Sequence, residues 1–441
     1  MSDLLGIGSS GLRAYRAALA AVSENIVNAD NRDYSRRRVD VVEAMAVARP
    51  SPLYAANRDF QGADVGGIRR SGDMLADQGL RFALAASGTA NARAAWLEQA
   101  EVALGDDAAG VGQRLGVFFA SAQELAGAPD SAALRATMLS ALDDVARAFN
   151  AAGNRLTEVQ AQLGDALAVS AGDASRHLAT LAGLNRDLLG TIDGSAAQAQ
   201  MFDQRDAALF KLSAILPVTV SLGTKGDVAL TLADGTSLVN GVNAAAVTIG
   251  GSMDAPALLV NGTAAALPPE GALAGQAGSA AALSAHRVSL DNVAGNFAAA
   301  LNGWQAMGTA AGGSAGAPLL SGSDATSLTL VATDPAAIAA ARGGVANGNL
   351  TALAALRDPA GAEAGWQSLV NVLALQGESS RIAQDAADTQ VGHARVRRDA
   401  ASAVDLDAEA AEMVRLQQAY EAAARVIQVA RETINAILAI F

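Results

Sequence analysis

Apolar or small residues fall at Leu5, Gly8, Leu12, Tyr15, Leu19, Val22, Ile26 and Ala29, in alternating steps of three and four. That spacing is a heptad seam, and it predicts a helix over residues 4 to 29 built to pack against another. The C-terminus repeats the device over Met413, Leu416, Tyr420, Ala423, Ile427, Ala430, Ile434, Ile437 and Phe441, with Arg415, Glu421, Arg425, Arg431 and Glu432 between them. At 1.5 Å per residue each helix reaches about 40 Å, and each stripe needs a partner to cover it. Two arrangements satisfy that need. Either the ends pair with each other in one folded chain, or pairing completes only in an assembly, with frayed ends in the free monomer.

Between the ends the period changes several times. The turn formers Asp30-Asn31-Arg32-Asp33 precede Tyr34-Ser35-Arg36-Arg37-Arg38 and a short alternating stretch at Val39, Val41 and Val42, while Gly62, Gly66 and Gly67 mark further loop or strand. From about Asp73 to Ile215 the pattern is helical almost throughout, with Pro129-Asp130-Ser131 as a helix start. The helix that follows carries Leu134, Met138, Leu142, Val145, Phe149, Leu156, Val159, Leu163 and Leu167 on one side. After Pro217, Val218, Val220 and Leu222 alternate, then Val228, Leu230 and Leu232, with turns at Gly223-Thr224-Lys225-Gly226 and Asp234-Gly235. Further short strands are expected near residues 247–249 and 258–260, a helix from Ala280 to Met307, and a hairpin from Leu319 to Ala332. No repeat of 20 to 50 residues is evident, which disfavours a solenoid.

The expected fold is therefore mainly α: an elongated rod with terminal coiled-coil helices, a helical-bundle body and a small inserted β domain. Its expected domains are a terminal assembly domain, residues 1–45 with 398–441; a body, 46–216 with 279–397; and a β insertion, 217–278.

Composition narrows the chemistry. The 441 residues hold 31 Lys+Arg against 44 Asp+Glu, for a net charge of -13, which opposes general binding to nucleic acid. Cysteine is absent, so disulfides, thiolate metal sites and cysteine nucleophiles are excluded. The three histidines, His177, His286 and His393, lie far apart and in no metal-ligand spacing. Aromatics make up only 4%, so alanine, leucine and valine must fill the interior. No unbroken apolar run reaches the roughly 18 residues of a membrane span. Asp3, with Arg13 and Arg16 where an apolar centre would lie, argues against a cleaved secretory signal and leaves open a pathway that reads an uncleaved N-terminus.

Two motifs invite catalysis. Gly6-Ile7-Gly8-Ser9-Ser10-Gly11 fits G-x-G-x-x-G, with Asp30 near the distance of a ribose-binding acid. The fingerprint works only at the end of a strand, and the chain upstream leaves scant room for one, so the glycines are expected to allow close helix packing or a flexible start. Adjacent acids such as Asp106-Asp107 and Asp143-Asp144 point about 100° apart on a helix and rarely converge on one atom. Nothing supports an enzyme, and no cofactor or metal is expected. Arg36-Arg37-Arg38 fits either a contact with an acidic neighbour or a solvated strand edge.

Ser9-Ser10-Gly11-Leu12-Arg13-Ala14-Tyr15, Asn25-Ile26-Val27-Asn28-Ala29 and Tyr34-Ser35-Arg36 resemble the N-terminal motifs of the bacterial flagellar axial proteins. Leu416-Gln417-Gln418-Ala419-Tyr420-Glu421-Ala422 with Arg425-Val426-Ile427-Gln428 resembles their C-terminal end. Rod, hook and junction proteins share much of this. Three features favour the hook-associated protein 1 family of the hook–filament junction: Tyr34-Ser35-Arg36, Asp203-Gln204-Arg205-Asp206, and Gly235-Thr236-Ser237-Leu238-Val239-Asn240-Gly241. The chain departs from the family at Arg32-Asp33, where a Pro-Gly turn is usual, and at Ala423, where an Asn is usual. It is also short for the family, which suggests a reduced outer domain.

The resemblance implies a secreted, extracellular part of the flagellum, exported unfolded through the type III channel without a cleaved signal and assembled at the distal end of the hook. It implies terminal helices that intercalate with those of neighbouring copies. The implied interface comprises Leu5, Leu12, Tyr15, Leu19, Val22, Asn25, Ile26, Asn28, Tyr34, Ser35, Arg36, Met413, Leu416, Gln417, Gln418, Tyr420, Ile427, Ile434 and Ile437. The implied partners are further copies in a ring-like homo-oligomer, the hook protein, the second junction protein (hook-associated protein 3), the export apparatus and an export chaperone at the C-terminal helix, with no nucleic acid and no membrane insertion. A hook or rod subunit is the alternative within the same class. A soluble cofactor-binding enzyme that uses the glycine motif is the alternative of a different kind.

Overall fold

The computed structural model describes residues 2–44, 62–105, 108–357 and 361–439. Phe441, the pair Asp106-Asp107 and the expected domain border at 45/46 lie outside the described residues. In chain order the elements are α1 (Ser2–Val27), β1 (Arg37–Glu43), β2 (Ala63–Arg70), α2 (Met74–Ala103), α3 (Val111–Gly127), α4 (Ala132–Leu189) and α5 (Ala196–Ile215). Then come β3 (Thr219–Leu222), β4 (Val228–Thr231), β5 (Ser237–Asn240), β6 (Asn243–Ala244), β7 (Val247–Ser252), β8 (Ala255–Val260) and β9 (Thr263–Ala265). They are followed by α6 (Ala272–Ala306), β10 (Leu320–Ser321), β11 (Thr329–Leu330), α7 (Gly348–Ala352), α8 (Ala362–Ser402) and α9 (Leu406–Leu438). The fold is mainly α, with few and small sheets.

Met1–Leu84, Ala174–Ala246 and Asp388–Phe441 form one compact unit; Ala85–Asp173 and Val247–Ala387 form a second. In the first unit α1 lies against α9, and the two helices and β1 share a core of Ala18, Ala21, Val22, Val39 and Leu416. The approach is close because α1 presents glycine: a Cβ on Gly8 would stand 2.5 Å from Ile427 Cγ1, and one on Gly11 3.6 Å from the Ala423 Cβ. The antiparallel hairpin β1–β2, with a bulge at Asp40/Val41, packs beside α1. Gly67 (φ 142) and Gly194 (φ 73) let the hairpin meet the α4–α5 turn, where the Ile68 N–H donates to Gly194 O at 2.7 Å. A Cβ on Gly194 would come within 3.1 Å of Gly67 Cα, so both positions need glycine. The four-stranded sheet β3-β4-β5-β6 completes this unit.

The second unit is built on the predicted α4 stripe. Met138, Leu142, Val145, Phe149, Leu156, Val159, Leu163 and Leu167 are all buried there. Phe297 of α6 meets Phe118 edge-on at 5.9 Å and stacks on Phe149 at 6.3 Å. Trp304 is buried and satisfies its indole by donating to Asn349 O at 2.7 Å. The expected hairpin near residues 319–332 forms as β10–β11. A three-stranded sheet, β7-β8-β9, belongs to this unit, so the strands after Pro217 make two separate sheets.

Three local expectations are corrected. α6 begins at Ala272, inside the stretch assigned to strands, because Gly271 (φ 95) turns the chain and Leu273, Ala277, Ala280 and Leu283 already bury one helical face. α1 stops at Val27, so Ala29 falls in a turn where Asn28 O accepts the Asn31 N–H at 3.0 Å. Tyr420 and Ile437 do not join the α1–α9 seam but stay 38% and 40% exposed. On α9 the covered positions are Glu409, Leu416, Ala423 and Ala430, each a heptad apart; Tyr420 lies to the side of that line, whereas Ile437 continues it one heptad on, at the end of the helix.

Candidate assembly interface

The N-terminal motif folds around one side chain. Asn25, fully buried in α1, donates from Nδ2 to Arg37 O at 2.9 Å and to Glu409 Oε2 at 3.0 Å. Its Oδ1 accepts the Tyr34 hydroxyl at 2.8 Å and the Arg37 N–H at 2.9 Å. The amide thus fills its full hydrogen-bonding capacity, and it ties α1, the turn after it, β1 and α9 together. Arg36 Nε pairs with Glu409 Oε1 at 2.6 Å, and the Arg36 N–H donates to Ser402 O at 2.8 Å. Glu409 is therefore a buried carboxylate with both oxygens occupied, the condition under which burying a charge is tolerable.

A second layer of charge begins at Arg37. Its guanidinium, almost fully buried, reaches Glu24 at 2.6 Å and Asp203 at 2.9 Å and lies 4.7 Å over the Tyr34 ring. Arg70, at the end of β2, pairs with Asp206, and its Nε stands 2.9 Å from Asp203 Oδ1 without the alignment of a hydrogen bond. Arg205 in turn holds Asp206 at 2.8 Å and donates to Gly226 O at 2.6 Å. The motif Asp203-Gln204-Arg205-Asp206 on α5 is thus the acidic seat for the two arginines that bracket the hairpin. Burial pushes Asp203 above the ordinary carboxylate range, against the opposing pull of Arg70 and then Arg37. Burial works against the Arg37 charge, yet its hydrogen bond to Asp203 and its neighbours Tyr34 and Glu24 raise it overall. The Tyr34 hydroxyl is raised well beyond its usual value, chiefly by burial, so it acts here as a neutral donor.

The third motif serves the same unit. Asn185 of α4, buried, donates to Val228 O and Gly241 O, each at 2.7 Å, and accepts the Val228 N–H at 2.8 Å. It therefore clips the β3–β6 sheet to the helix, while Leu238 and Val239 of the motif fill the core below.

Of the interface residues expected from sequence, Val22, Asn25, Tyr34, Ser35 and Leu416 are buried within the first unit. Leu5, Leu12, Tyr15, Leu19, Ile26, Asn28, Arg36, Met413, Ile427 and Ile434 are half-buried, and Gln417, Gln418, Tyr420 and Ile437 are exposed. The arginine run splits: Arg36 and Arg37 meet acids of their own chain, and Arg38 stays exposed. Glu24, Arg70, Asn185 and Glu409 were not legible as site residues. Glu409 could have been found, since it stands one heptad before Leu416, but a seam read on apolar residues alone passes over it. The glycine motif lies wholly inside α1, with no strand before it, so it lacks the context of a pyrophosphate loop. Among the described residues no cluster of His, Asp and Glu could hold a metal ion, and no helix is long and apolar enough to cross a membrane.

The family model for the flagellar hook-associated protein FlgK helical domain matches residues 97–320, half of the chain. This chain belongs to the FlgK family. A second model, the C-terminal region of flagellar basal body rod FlgEFG proteins, matches residues 399–440, the stretch that carries α9. Among FlgK relatives, flagellar hook-associated protein 1 of Bacillus subtilis (strain 168) is 26% identical over 99% of this chain and 98% of its own length. The protein of the same name from Salmonella typhimurium is 29% identical, and the match covers 55% of this chain and 44% of the relative. That from Escherichia coli (strain K12) is 27% identical over 55% and 44%. The solved structure of the flagellar hook junction protein FlgK from Burkholderia pseudomallei superposes with a TM-score of 0.50 at 22% identity, over 56% of this chain and 46% of that one. It supports the same mainly helical fold. The family is one of structural flagellar proteins rather than of enzymes, and membership places the chain among the components of the bacterial flagellum.

Proposed function

We propose that this chain forms the junction between the flagellar hook and the filament, polymerising outside the cell through α1 and α9. The observation that carries this reading is the apolar surface that α9 leaves open. Leu416, Ala423 and Ala430 are covered and Ile427 packs half-buried against Gly8 of α1, whereas Tyr420, Val426, Val429 and Ile437 remain 38–60% exposed. A helix that leaves such a row of large side chains open keeps apolar surface for another contact. Fully covering a side chain of this size contributes roughly 1.5–3 kcal/mol, so a neighbouring copy that covers them stabilises α9 further. In this reading residues 1–45 and 398–441 form the assembly domain, α1 and α9 make the contacts, and the Asn25 network holds their roots in register.

The partners are further copies of the chain, the hook protein below and hook-associated protein 3 above. The flagellar export apparatus, and a chaperone that covers α9 before export, complete the set. A second reading, a hook or rod subunit, draws on the rod-protein model that matches residues 399–440. Electron microscopy of cells lacking the gene separates the two. Hooks without filaments, with flagellin lost to the medium, support the junction; loss of the hooks moves the chain into hook or rod; intact flagella refute both. In the complemented strain, Leu12→Asp or Ile427→Asp should abolish incorporation while the second unit stays folded, and filaments as abundant as in the parent would refute polymerisation through these helices.

A further inference from the structure

The first unit contains a cavity of about 490 Å³ that the ion network does not use. Its floor is apolar, formed by Leu80, Leu84, Phe210 and Ala214, and its rim carries Arg32, Lys211 and Arg395. All three rim cations are exposed, and none forms an ion pair among the described residues. Asp33 and Asp399 also line the cavity and offset the rim only in part. Arg398 lies deeper, 5.1 Å over the Phe210 ring; it pairs with Asp77 at 3.4 Å and donates to Arg32 O at 2.8 Å. In a chain of net charge -13, three unpaired cations around an apolar floor mark a seat for a segment that is both apolar and acidic.

The same unit displays such a segment. Toward the end of the β1–β2 hairpin, Val41, Val42 and Val65 are 43%, 47% and 39% exposed, and the exposed Glu43 and Asp64 stand among them with no ion pair among the described residues. Val41 pairs with Val65, Val42 with Asp64 and Glu43 with Ala63 across the hairpin, so three valines and two carboxylates crowd into three successive residue pairs. Strand ends with open valines are hazards unless something covers them.

We infer that this cavity is the socket for the β1–β2 hairpin of a second copy of the chain. Val41 and Val65, which share one face of the hairpin with Glu43, meet the Leu80–Leu84–Phe210 floor of the next copy; Glu43 meets Lys211, and Asp64 on the opposite face meets Arg395 at the rim. The contact is heterologous, with plug and socket on different surfaces, so it propagates around a ring rather than closing as a dimer. The inference rests on the proposed self-assembly and adds to the terminal helices a second, electrostatically keyed contact.

The test uses the full chain, which has no native cysteine. Lys211→Cys with Glu43→Cys is expressed in place of the parent, hook–filament structures are isolated, and the thiols are oxidised. Both positions are exposed, so neither change disturbs the core. A ladder of disulfide-linked multimers in the double variant, with at most dimers in either single variant, is the expected result. Incorporation of the double variant without a ladder overturns the socket and leaves the junction reading standing. Absence of the parent chain from isolated hook–filament structures overturns the junction reading itself, and the socket with it.

If the cysteine variants fail to incorporate, charge reversal decides. Lys211→Glu with Arg395→Glu should lower incorporation about tenfold, and adding Glu43→Lys with Asp64→Lys should restore it to within about twofold of the parent. Reversal without restoration overturns the pairing.

Discussion

Asn25→Ala is the perturbation most exposed to refutation. It removes partners from four groups at once: the Tyr34 hydroxyl, the Arg37 N–H, the Arg37 carbonyl and Glu409 Oε2. Asn25 and Glu409 are fully buried and Tyr34 nearly so, so water reaches these groups poorly. A stranded buried group costs about 1–3 kcal/mol. Glu409 keeps Arg36 on its other oxygen, and the vacated amide volume admits a water, so the sum is tempered to about 3–5 kcal/mol. Tyr34→Phe removes one hydroxyl while Asn25 Oδ1 keeps the Arg37 N–H, and should cost about 1 kcal/mol. In the Asn25→Ala background Tyr34→Phe should cost nothing, because the hydroxyl is already orphaned, and the double-mutant cycle should give a coupling of at least about 1 kcal/mol.

The chain supplies an internal control for this experiment, because Trp96, Trp304 and Trp366 all belong to the second unit. Tryptophan fluorescence during urea unfolding should therefore stay at the parental midpoint. Amide exchange over α1, β1 and the start of α9 should accelerate by the factor that corresponds to the lost stability. A coupling below about 0.3 kcal/mol, or exchange that accelerates equally in both units, would refute the claim that Asn25 ties the terminal helices to their root.

Gly6 and Gly8 of the same motif should respond oppositely. A Cβ on Gly6 meets nothing within 4 Å, so Gly6→Ala should stabilise α1 by up to about 1 kcal/mol. Gly8→Val forces Ile427 aside and should cost about 1–3 kcal/mol, and NAD should bind neither parent nor variant in calorimetry. Asp77 is raised by burial first and by Asp206 second, against Arg398, Arg70 and Arg81. A carboxyl with a raised folded pKa contributes stability that is complete below the unfolded value, near pH 3.9, and is lost as pH rises through the folded value. Asp77→Asn cannot ionise, so its stability relative to the parent should improve between about pH 4 and pH 7, read by exchange in α2; a gap that is constant or widens would contradict the assignment. Asn185→Leu should strand the Val228 N–H and two carbonyls and cost about 2–4 kcal/mol, seen as faster exchange in β4.

How far the fold was legible depended on whether one periodicity ruled a segment. The α4 stripe was read correctly because every position from Met138 to Leu167 on it answers to one packed face. The start of α6 was misread because Gly271, Gly275 and Gly278 look like punctuation. In fact a Cβ on Gly275 would come within 2.4 Å of Thr89 O, so that glycine buys a close helix approach rather than a turn. The α9 seam was found, but not which of its positions α1 covers. Heptad counting cannot tell a residue turned toward its own chain from one turned outward, since both are apolar and both recur at the same interval.

The site was legible in another sense: its motifs were recognised, but the reason for them was not. Tyr34-Ser35-Arg36 and Asp203-Gln204-Arg205-Asp206 lie far apart in sequence, and no local pattern says that Arg37, just past the first, ends on Asp203. A buried charge is a statement about two places at once, so single-sequence reasoning sees only half of each pair. The half it did see left two readings open, because three consecutive arginines beside a strand fit a contact with an acidic neighbour or a solvated edge. Folding places Arg37 among Glu24, Asp203 and the Tyr34 ring and Arg36 on Glu409, all within the same chain, and leaves Arg38 exposed. Because α1, the hairpin, α5 and α9 all contribute members, shifting any of them strands a charge on another. That is the arrangement expected where two long helices must enter an assembly at a fixed angle: the packing between them is small and permissive, and the charged root sets their register.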